Sequence, residues 1–344
     1  MKPFLLLAMV GFAMPQPAFA DTAFRQGEWQ SYVGNFVTGD GRVLDTANGD
    51  ISHSESQGYG LLLSVLADDR PMFERIWSFT GSSLLVRDDG LAAWRWDPAS
   101  VPAITDANNA TDGDMLIAYG LLRAAALWDE PAYAAAAVPI VKTIGQTLMV
   151  EADGLRAILP GAEGFADAGG GPILNPSYWV FEAFAAFADV DPGSGWEGQT
   201  RTGLDILRRA ALTPAGIPAD WVQLADGAIR PAPGFEPEFG YNGIRIPLYL
   251  MRAGLDPAFL RPFLKKAPAP DLAKVDVMSG NTTEPIGEPG YRLIRAAMDC
   301  TLNGTPVPAE LQTMTPSSYY AATLQLLMLD HLRRQRTDCL SGEV

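Results

Sequence analysis

Three short segments carry polar, chemistry-bearing side chains at points where a helix built only for packing would start with apolar ones. The first, His53-Ser54-Glu55-Ser56-Gln57-Gly58-Tyr59-Gly60, leads a carboxylate and two glycines straight into an apolar helix. Ser54 can cap that helix and Glu55 can serve as a favourable first-turn anion. Capping leaves Gln57, Gly58 and Tyr59 unexplained. The second, Asn108-Asn109-Ala110-Thr111-Asp112-Gly113-Asp114, sets two aspartates at another helix start. Calcium-loop spacing is excluded, because the carboxylate required at the twelfth position is missing. A capped helix and a catalytic carboxylate both remain open there. The third, Phe239-Gly240-Tyr241-Asn242-Gly243-Ile244-Arg245, reads as an Asn-Gly turn ahead of a helix.

Paired carboxylates can act as general acid and general base, and the aromatic residues nearby suggest on what. Trp94 and Trp96 flank Arg95, Tyr178 and Trp179 follow Asn175-Pro176-Ser177, and Trp221 follows Asp220. An indole or phenol face lies well against the C–H face of a pyranose, while Asp and Asn bind its hydroxyls. The chain's 8 Trp are also compatible with ordinary core usage, so the aromatics carry weight only jointly with the carboxylates.

The elements that must position these groups are helical. Apolar residues recur at three and four in Tyr59, Leu62, Leu63 and Leu66, and again in Met72, Phe73, Ile76 and Trp77, a second helix beginning near Pro71. The same pattern predicts helices over 115–128, 133–150, 178–188, 196–212, 244–253, 291–298 and 319–334. Gly, Pro and Asp clusters separate them, among them Gly169-Gly170-Gly171-Pro172 and Pro231-Ala232-Pro233-Gly234. No stretch shows sustained strand alternation, and no linker is long enough to divide the chain into separate domains. Roughly a dozen helices in one domain suit a closed ring of helical hairpins.

Composition narrows the chemistry further. With 344 residues and 48% apolar side chains, the chain can bury a sizeable core. Its 25 Lys+Arg against 40 Asp+Glu give a net charge of −15, a field that repels nucleic acid and anionic membranes. The 2 Cys exclude a four-cysteine zinc site and the 2 His leave little for a histidine centre, so no metal or other cofactor is expected. Other helical-ring enzymes, such as zinc-dependent transferases or lyases handling diphosphates, would need Cys and His or Asp-rich runs that are not seen. Met1 to Ala20 carry one Lys, an apolar stretch from Phe4 to Met14 and the small-x-small sequence Ala18-Phe19-Ala20. That pattern predicts a signal peptide over 1–20, cleaved after Ala20, and a mature chain over 21–344 with no membrane span, secreted or periplasmic. In an oxidising compartment Cys300 and Cys339 can form one bridge or stand as free thiols.

Seven short motifs, taken together, resemble glycoside hydrolase family 8, and its periplasmic branch that accompanies cellulose synthases in particular. They are Gly41-Arg42-Val43-Leu44-Asp45, Ser54-Glu55-Ser56-Gln57-Gly58-Tyr59-Gly60, Ala110-Thr111-Asp112-Gly113-Asp114, Asn175-Pro176-Ser177-Tyr178, Asp220-Trp221, Tyr241-Asn242-Gly243-Ile244-Arg245 and Lys274-Val275-Asp276-Val277. The resemblance implies an all-α (α/α)6 barrel with an open cleft across one end. It also implies internal cleavage of β-1,4-glucan with inversion, a monomer, and a link to a cellulose synthase complex. It assigns Glu55 as general acid and Asp112 to the distorted sugar beside the scissile bond. The expected substrate-binding set is Tyr59, Trp94, Trp96, Asn109, Tyr178, Trp179, Trp221, Tyr241 and Arg245.

The base departs from the family pattern. Relatives carry Asp in a Tyr-Asp-Ala-Ile-Arg motif where Asn242 stands, and an amide cannot take up a proton from water at useful pKa. Loss of general-base assistance forfeits about 10²–10⁴ in rate. Four accounts stay open: another carboxylate substitutes, with Glu236, Glu238 and Asp220 the candidates, on glucan, chitosan or xylan; the protein binds glucan without cutting it; Asn242 positions water for a slow reaction; or Asn242, preceding Gly243, deamidates to aspartate after export.

Overall fold

The computed structural model describes residues 24–167 and 169–340; the expected signal segment Met1 to Ala20 lies outside the described residues. In chain order the helices are α1 (Gln26–Phe36), α2 (Ser54–Leu66), α3 (Arg70–Ser83), α4 (Thr111–Trp128), α5 (Pro131–Thr143), α6 (Phe184–Val190), α7 (Gln199–Ala210), α8 (Arg245–Arg252), α9 (Arg261–Lys266), α10 (Pro289–Asn303) and α11 (Tyr319–Gln335).

The long helices are of two kinds. Apolar residues surround most of α2, α4, α8 and α11, which places these helices in the interior. Every residue of α8 is buried, and so is every residue of α2 except Glu55. By contrast α1, α3, α7 and α10 bury one stripe: Trp29, Tyr32 and Phe36 in α1, Met72, Phe73, Ile76 and Phe79 in α3. Outer and inner helices alternate along the chain, α1 before α2, α3 before α4, α7 before α8 and α10 before α11.

The expectation of a purely helical chain needs correction. Among the described residues, ten short strands form four small antiparallel sheets. β1 (Ser52–His53) pairs with β2 (Arg95–Trp96), and β3 (Met149–Ala152) forms a hairpin with β4 (Leu155–Ile158). β5 (Ile173–Leu174), β6 (Val222–Ala225) and β7 (Ala228–Pro231) lie in that order, and β9 (Leu272–Asp276) lies between β8 (Glu238–Phe239) and β10 (Thr282–Ile286). Asp153-Gly154 turns the first hairpin and Asp226-Gly227 joins β6 to β7. All four residues have positive φ, between 46° and 75°, the backbone that tight hairpin turns require.

Two predicted helices are interrupted. The apolar run 133–150 stays helical only to Leu148, through a π turn over Ile144–Leu148, and then becomes β3. The run 178–188 divides into the 3₁₀ turns Pro176–Tyr178 and Phe181–Ala183 followed by α6.

Two glycines let α2 and α4 cross with their backbones nearly touching. A Cβ on Gly58 would come within 2.6 Å of the Leu116 Cβ, and one on Gly113 within 2.1 Å of the Ser54 Oγ. The first turns of the two helices, which carry Glu55 and Asp112, therefore lie side by side. At the far end of the chain a disulfide joins Cys300 in α10 to Cys339 beyond α11.

Candidate active site

The N-termini of α2, α4, α8 and α11 converge on one cleft, of about 840 Å³, with Glu55, Asp112, Arg245, Tyr319 and Tyr320 among its lining residues. Helix N-termini carry partial positive charge, so this end of the molecule suits negatively charged groups.

Glu55 owes its position to the short sheet ahead of it. β1 pairs with β2, and the Ser54 N–H donates to the Trp94 carbonyl at 3.0 Å. The helix cap is His53 and not Ser54. The His53 Nδ1 accepts from the Ser56 N–H at 3.0 Å and the Ser56 Oγ accepts from the His53 N–H at 3.1 Å. The Ser54 hydroxyl is buried beneath Gly113 without a hydrogen-bond partner.

Arg245 links the carboxylates. Its Nη1 donates to Glu55 at 2.8 Å and to Asp112 at 2.6 Å, and its Nη2 donates to Ser177 Oγ at 2.8 Å and to Asn242 Oδ1 at 3.0 Å. The guanidinium is 1% exposed and lies 5.4 Å from the centre of the Tyr178 ring. Glu55 is 20% exposed, toward the cleft. Burial pushes its pKa up; Arg245 opposes that shift and the charge of Asp112 reinforces it. A carboxyl whose proton affinity is raised in this way is suited to donate to a leaving oxygen, while Asp112 stays locked to the same guanidinium.

Asn242 lines the cleft, and its Oδ1 also accepts from Asn175 Nδ2 at 3.3 Å. Trp94, Tyr178 and Tyr241 line the cleft as well, with Tyr241 42% exposed and the Lys274 ammonium 5.1 Å from its ring centre. Trp221 stacks with Phe165 and Phe235 and meets Tyr178 edge-on, an aromatic cluster beside the cleft wall.

Five expected sugar contacts do not line the cleft, Trp221 in that neighbouring cluster among them. Tyr59 is fully buried and shares a 2.5 Å hydrogen bond with Tyr249; Trp179 is 1% exposed. Asn109 is buried, donating to Asp114 at 2.9 Å and accepting from the Ala162 N–H at 2.7 Å, so it holds a loop. Trp96 lies under the Arg42 guanidinium and against Phe79. The three alternative bases are also displaced. Glu236 is exposed away from the cleft, and Glu238 pairs with Lys274 at 3.6 Å. Asp220 accepts from the N–H groups of Gly240, Asn242 and Gly243, which shapes the turn carrying Asn242.

The cleft adds carboxylates that the motifs did not single out as site residues, Asp45 and Glu288. Burial raises the Asp45 pKa, but hydrogen bonds from His53 and Asn48 outweigh it and hold the group below the usual range. Glu288 precedes α10 and accepts from Ser318 Oγ at 2.7 Å. The Asp-His pairing at 3.3 Å was hidden because the two residues stand in different motifs.

Comparison with known proteins places this arrangement in context. A model of glycosyl hydrolases family 8 matches residues 3–334. An endoglucanase of Cellulomonas uda is 39% identical over 70% of this chain and 67% of its own length. A probable endoglucanase of Novacetimonas hansenii is 34% identical over 90% of this chain and 92% of its own. Among solved structures, the family 8 endoglucanase Cel10 of Klebsiella pneumoniae superposes with a TM-score of 0.82 at 34% identity, covering 91% of this chain and 100% of that one. The endo-β-1,4-glucanase CMCax of Acetobacter xylinum does so with a TM-score of 0.81 at 30% identity, covering 92% and 98%. On the extent of these matches, the chain belongs to glycosyl hydrolase family 8 and is a glycoside hydrolase.

Proposed function

We propose that the protein is an inverting endo-β-1,4-glucanase that cuts cellulose-type polymers at internal bonds, with Glu55 as the general acid. The observation that carries this reading is that Glu55, half-buried, lines an open cleft together with Trp94, Tyr178 and Tyr241 and is tied through one guanidinium to Asp112. The endoglucanases among its relatives support the substrate class. Glu55 would protonate the bridging oxygen, Asp112 and Arg245 would hold the distorted sugar, and Trp94, Tyr178 and Tyr241 would supply ring faces. Inversion further requires a carboxylate across the sugar, about 6.5–9.5 Å from the acid, to activate water. Asn242 stands in that role's expected place.

The alternation of outer and inner helices supports closure into an (α/α)6 ring. The proposed working form is a monomer over 21–344, exported by the 1–20 segment to the periplasm, where it would trim nascent glucan beside a cellulose synthase. In the described residues no helix is long and apolar enough to cross a membrane.

A reducing-end assay on carboxymethylcellulose, with NMR of the newly formed anomer, tests the proposal. Reducing ends appearing first as the inverted α-anomer are expected. Saturable cello-oligosaccharide binding with no new ends from glucan, xylan or chitosan would replace it with a second reading, glucan binding without cleavage, which the amide at position 242 favours.

A further inference from the structure

We infer that Asn242 is a self-deamidation site: Asp220 relays a proton from the Gly243 amide to the leaving side-chain nitrogen, and the aspartate so formed gives the cleft its second carboxylate. The consequence for activity rests on the glucanase reading. The modification itself does not.

The chain has three Asn-Gly pairs, Asn48-Gly49, Asn242-Gly243 and Asn303-Gly304. In any such pair the glycine nitrogen can attack the asparagine Cγ, because no side chain on the following residue obstructs it. What limits the reaction is removal of the N–H proton and stabilisation of the oxyanion that forms on Oδ1. At Asn242 both needs are met. The Gly243 N–H donates to Asp220 Oδ1 at 2.8 Å, so a carboxylate already sits on the proton that must leave. The Asn242 N–H donates to the other oxygen of the same carboxylate at 3.1 Å, which holds Asp220 beside this residue, placed to return the proton to the departing nitrogen. Arg245 Nη2 at 3.0 Å and Asn175 Nδ2 at 3.3 Å donate to Asn242 Oδ1, a preformed oxyanion site. Burial raises the proton affinity of Asp220, against the backbone N–H bonds that lower it. Gly243 is also a required glycine, since a Cβ there would come within 2.4 Å of the Phe239 ring.

The other two pairs are built differently. The Gly304 N–H is engaged by the Cys300 carbonyl at 2.8 Å, and Asp45 takes the Asn48 side chain at 2.6 Å together with the Ala47 N–H.

The steps balance. Asp220 takes the Gly243 proton and the amide nitrogen forms a bond to Asn242 Cγ. The resulting oxyanion collapses, the bond from Cγ to the side-chain nitrogen breaks, and ammonia departs with the proton from Asp220. Water then opens the five-membered imide between Cγ and the Gly243 nitrogen, which leaves aspartate at 242 and restores the peptide N–H. One water is consumed and one ammonia released.

The test is to hold the purified, folded chain at neutral pH in heavy-oxygen water and follow the three Asn-Gly peptides by mass spectrometry. The expected result is a gain of about one mass unit plus the isotope label at Asn242, roughly tenfold or more faster than at Asn48 and Asn303. In urea-unfolded chain the three rates should converge. Asp220→Asn, checked for folding by circular dichroism, should lose the excess, and Asn242→Gln, which cannot close a five-membered imide, should stay unmodified. Conversion at Asn242 no faster than at the other two pairs in folded wild type would overturn the proposal. Reducing-end activity should rise with the fraction converted, and Asn242→Asp should show the final activity from the start. A mass shift with no gain in activity would refute the role assigned to the new carboxylate while leaving the modification established.

Discussion

At the residue scale, two buried aspartates of one polar motif divide the work. Asp112 meets Arg245 in the cleft, whereas Asp114, in the same first helical turn, points into the protein and accepts from the Ala92 N–H at 2.8 Å and from Asn109. Burial pushes the Asp114 pKa up to about 7. The folded state therefore keeps this proton through a range in which the unfolded chain, titrating near 3.8, has lost it. More protons bound in the folded state means that stability falls as pH rises between about 4 and about 7, by an amount of order a few kcal/mol. Urea melts across that window should show the decline in wild type and a flatter profile in Asp114→Asn. The carboxylates of the site were legible because each sits in a polar run at a helix start, where apolar spacing resumes immediately afterwards. Trp179 was not separable from Tyr178 by that logic. Adjacent aromatics after Asn175-Pro176-Ser177 look alike in sequence, and only the 3₁₀ turn at Pro176–Tyr178 decides that the phenol faces the cleft and the indole faces the core.

At the element scale, the site depends on how closely α2 and α4 approach. Gly113 stands 2.6 Å, measured from its would-be Cβ, from the Glu55 backbone nitrogen, so a methyl group there must push the two catalytic turns apart. Gly113→Ala should cost about 1–3 kcal/mol in chemical denaturation, the usual penalty of overpacking. It should also reduce turnover more than substrate binding, because Glu55 moves relative to Asp112. The helices carrying long apolar stripes were legible from spacing alone. Two-residue strands such as β1, β2, β5 and β8 were not, since alternation needs more positions than they have. The hairpin joining β3 to β4 did leave a signal, Asp153-Gly154, but the preceding helical run masked it, as apolar spacing continues from α5 through the π turn.

At the scale of the whole molecule, four interior helices present their N-termini to one end, and the first helix is fastened to the last. Glu28 of α1 accepts two hydrogen bonds from Arg333 of α11, at 2.7 and 2.8 Å, and the disulfide ties the segment after α11 to α10. Cys300 and Cys339 are 39 residues apart, so loop-closure entropy assigns the bridge about 4 kcal/mol. Reduction, or Cys300→Ser with Cys339→Ser, should lower the unfolding free energy by about 2–4 kcal/mol in urea melts while leaving the cleft's chemistry intact. Helical content was legible from periodicity, but the convergence of helix ends was not, because it depends on long-range packing that no local window contains.

The central claim is that Glu55 delivers a proton to a glycosidic oxygen, and Glu55→Gln tests it most directly. The amide keeps the shape and hydrogen-bonding capacity of the side chain but cannot supply the proton. With carboxymethylcellulose as substrate, the account predicts a fall of about 10²–10⁴ in turnover, with cello-oligosaccharide affinity, measured by calorimetry, changed by no more than a few fold. Turnover at the wild-type rate in that variant would contradict it.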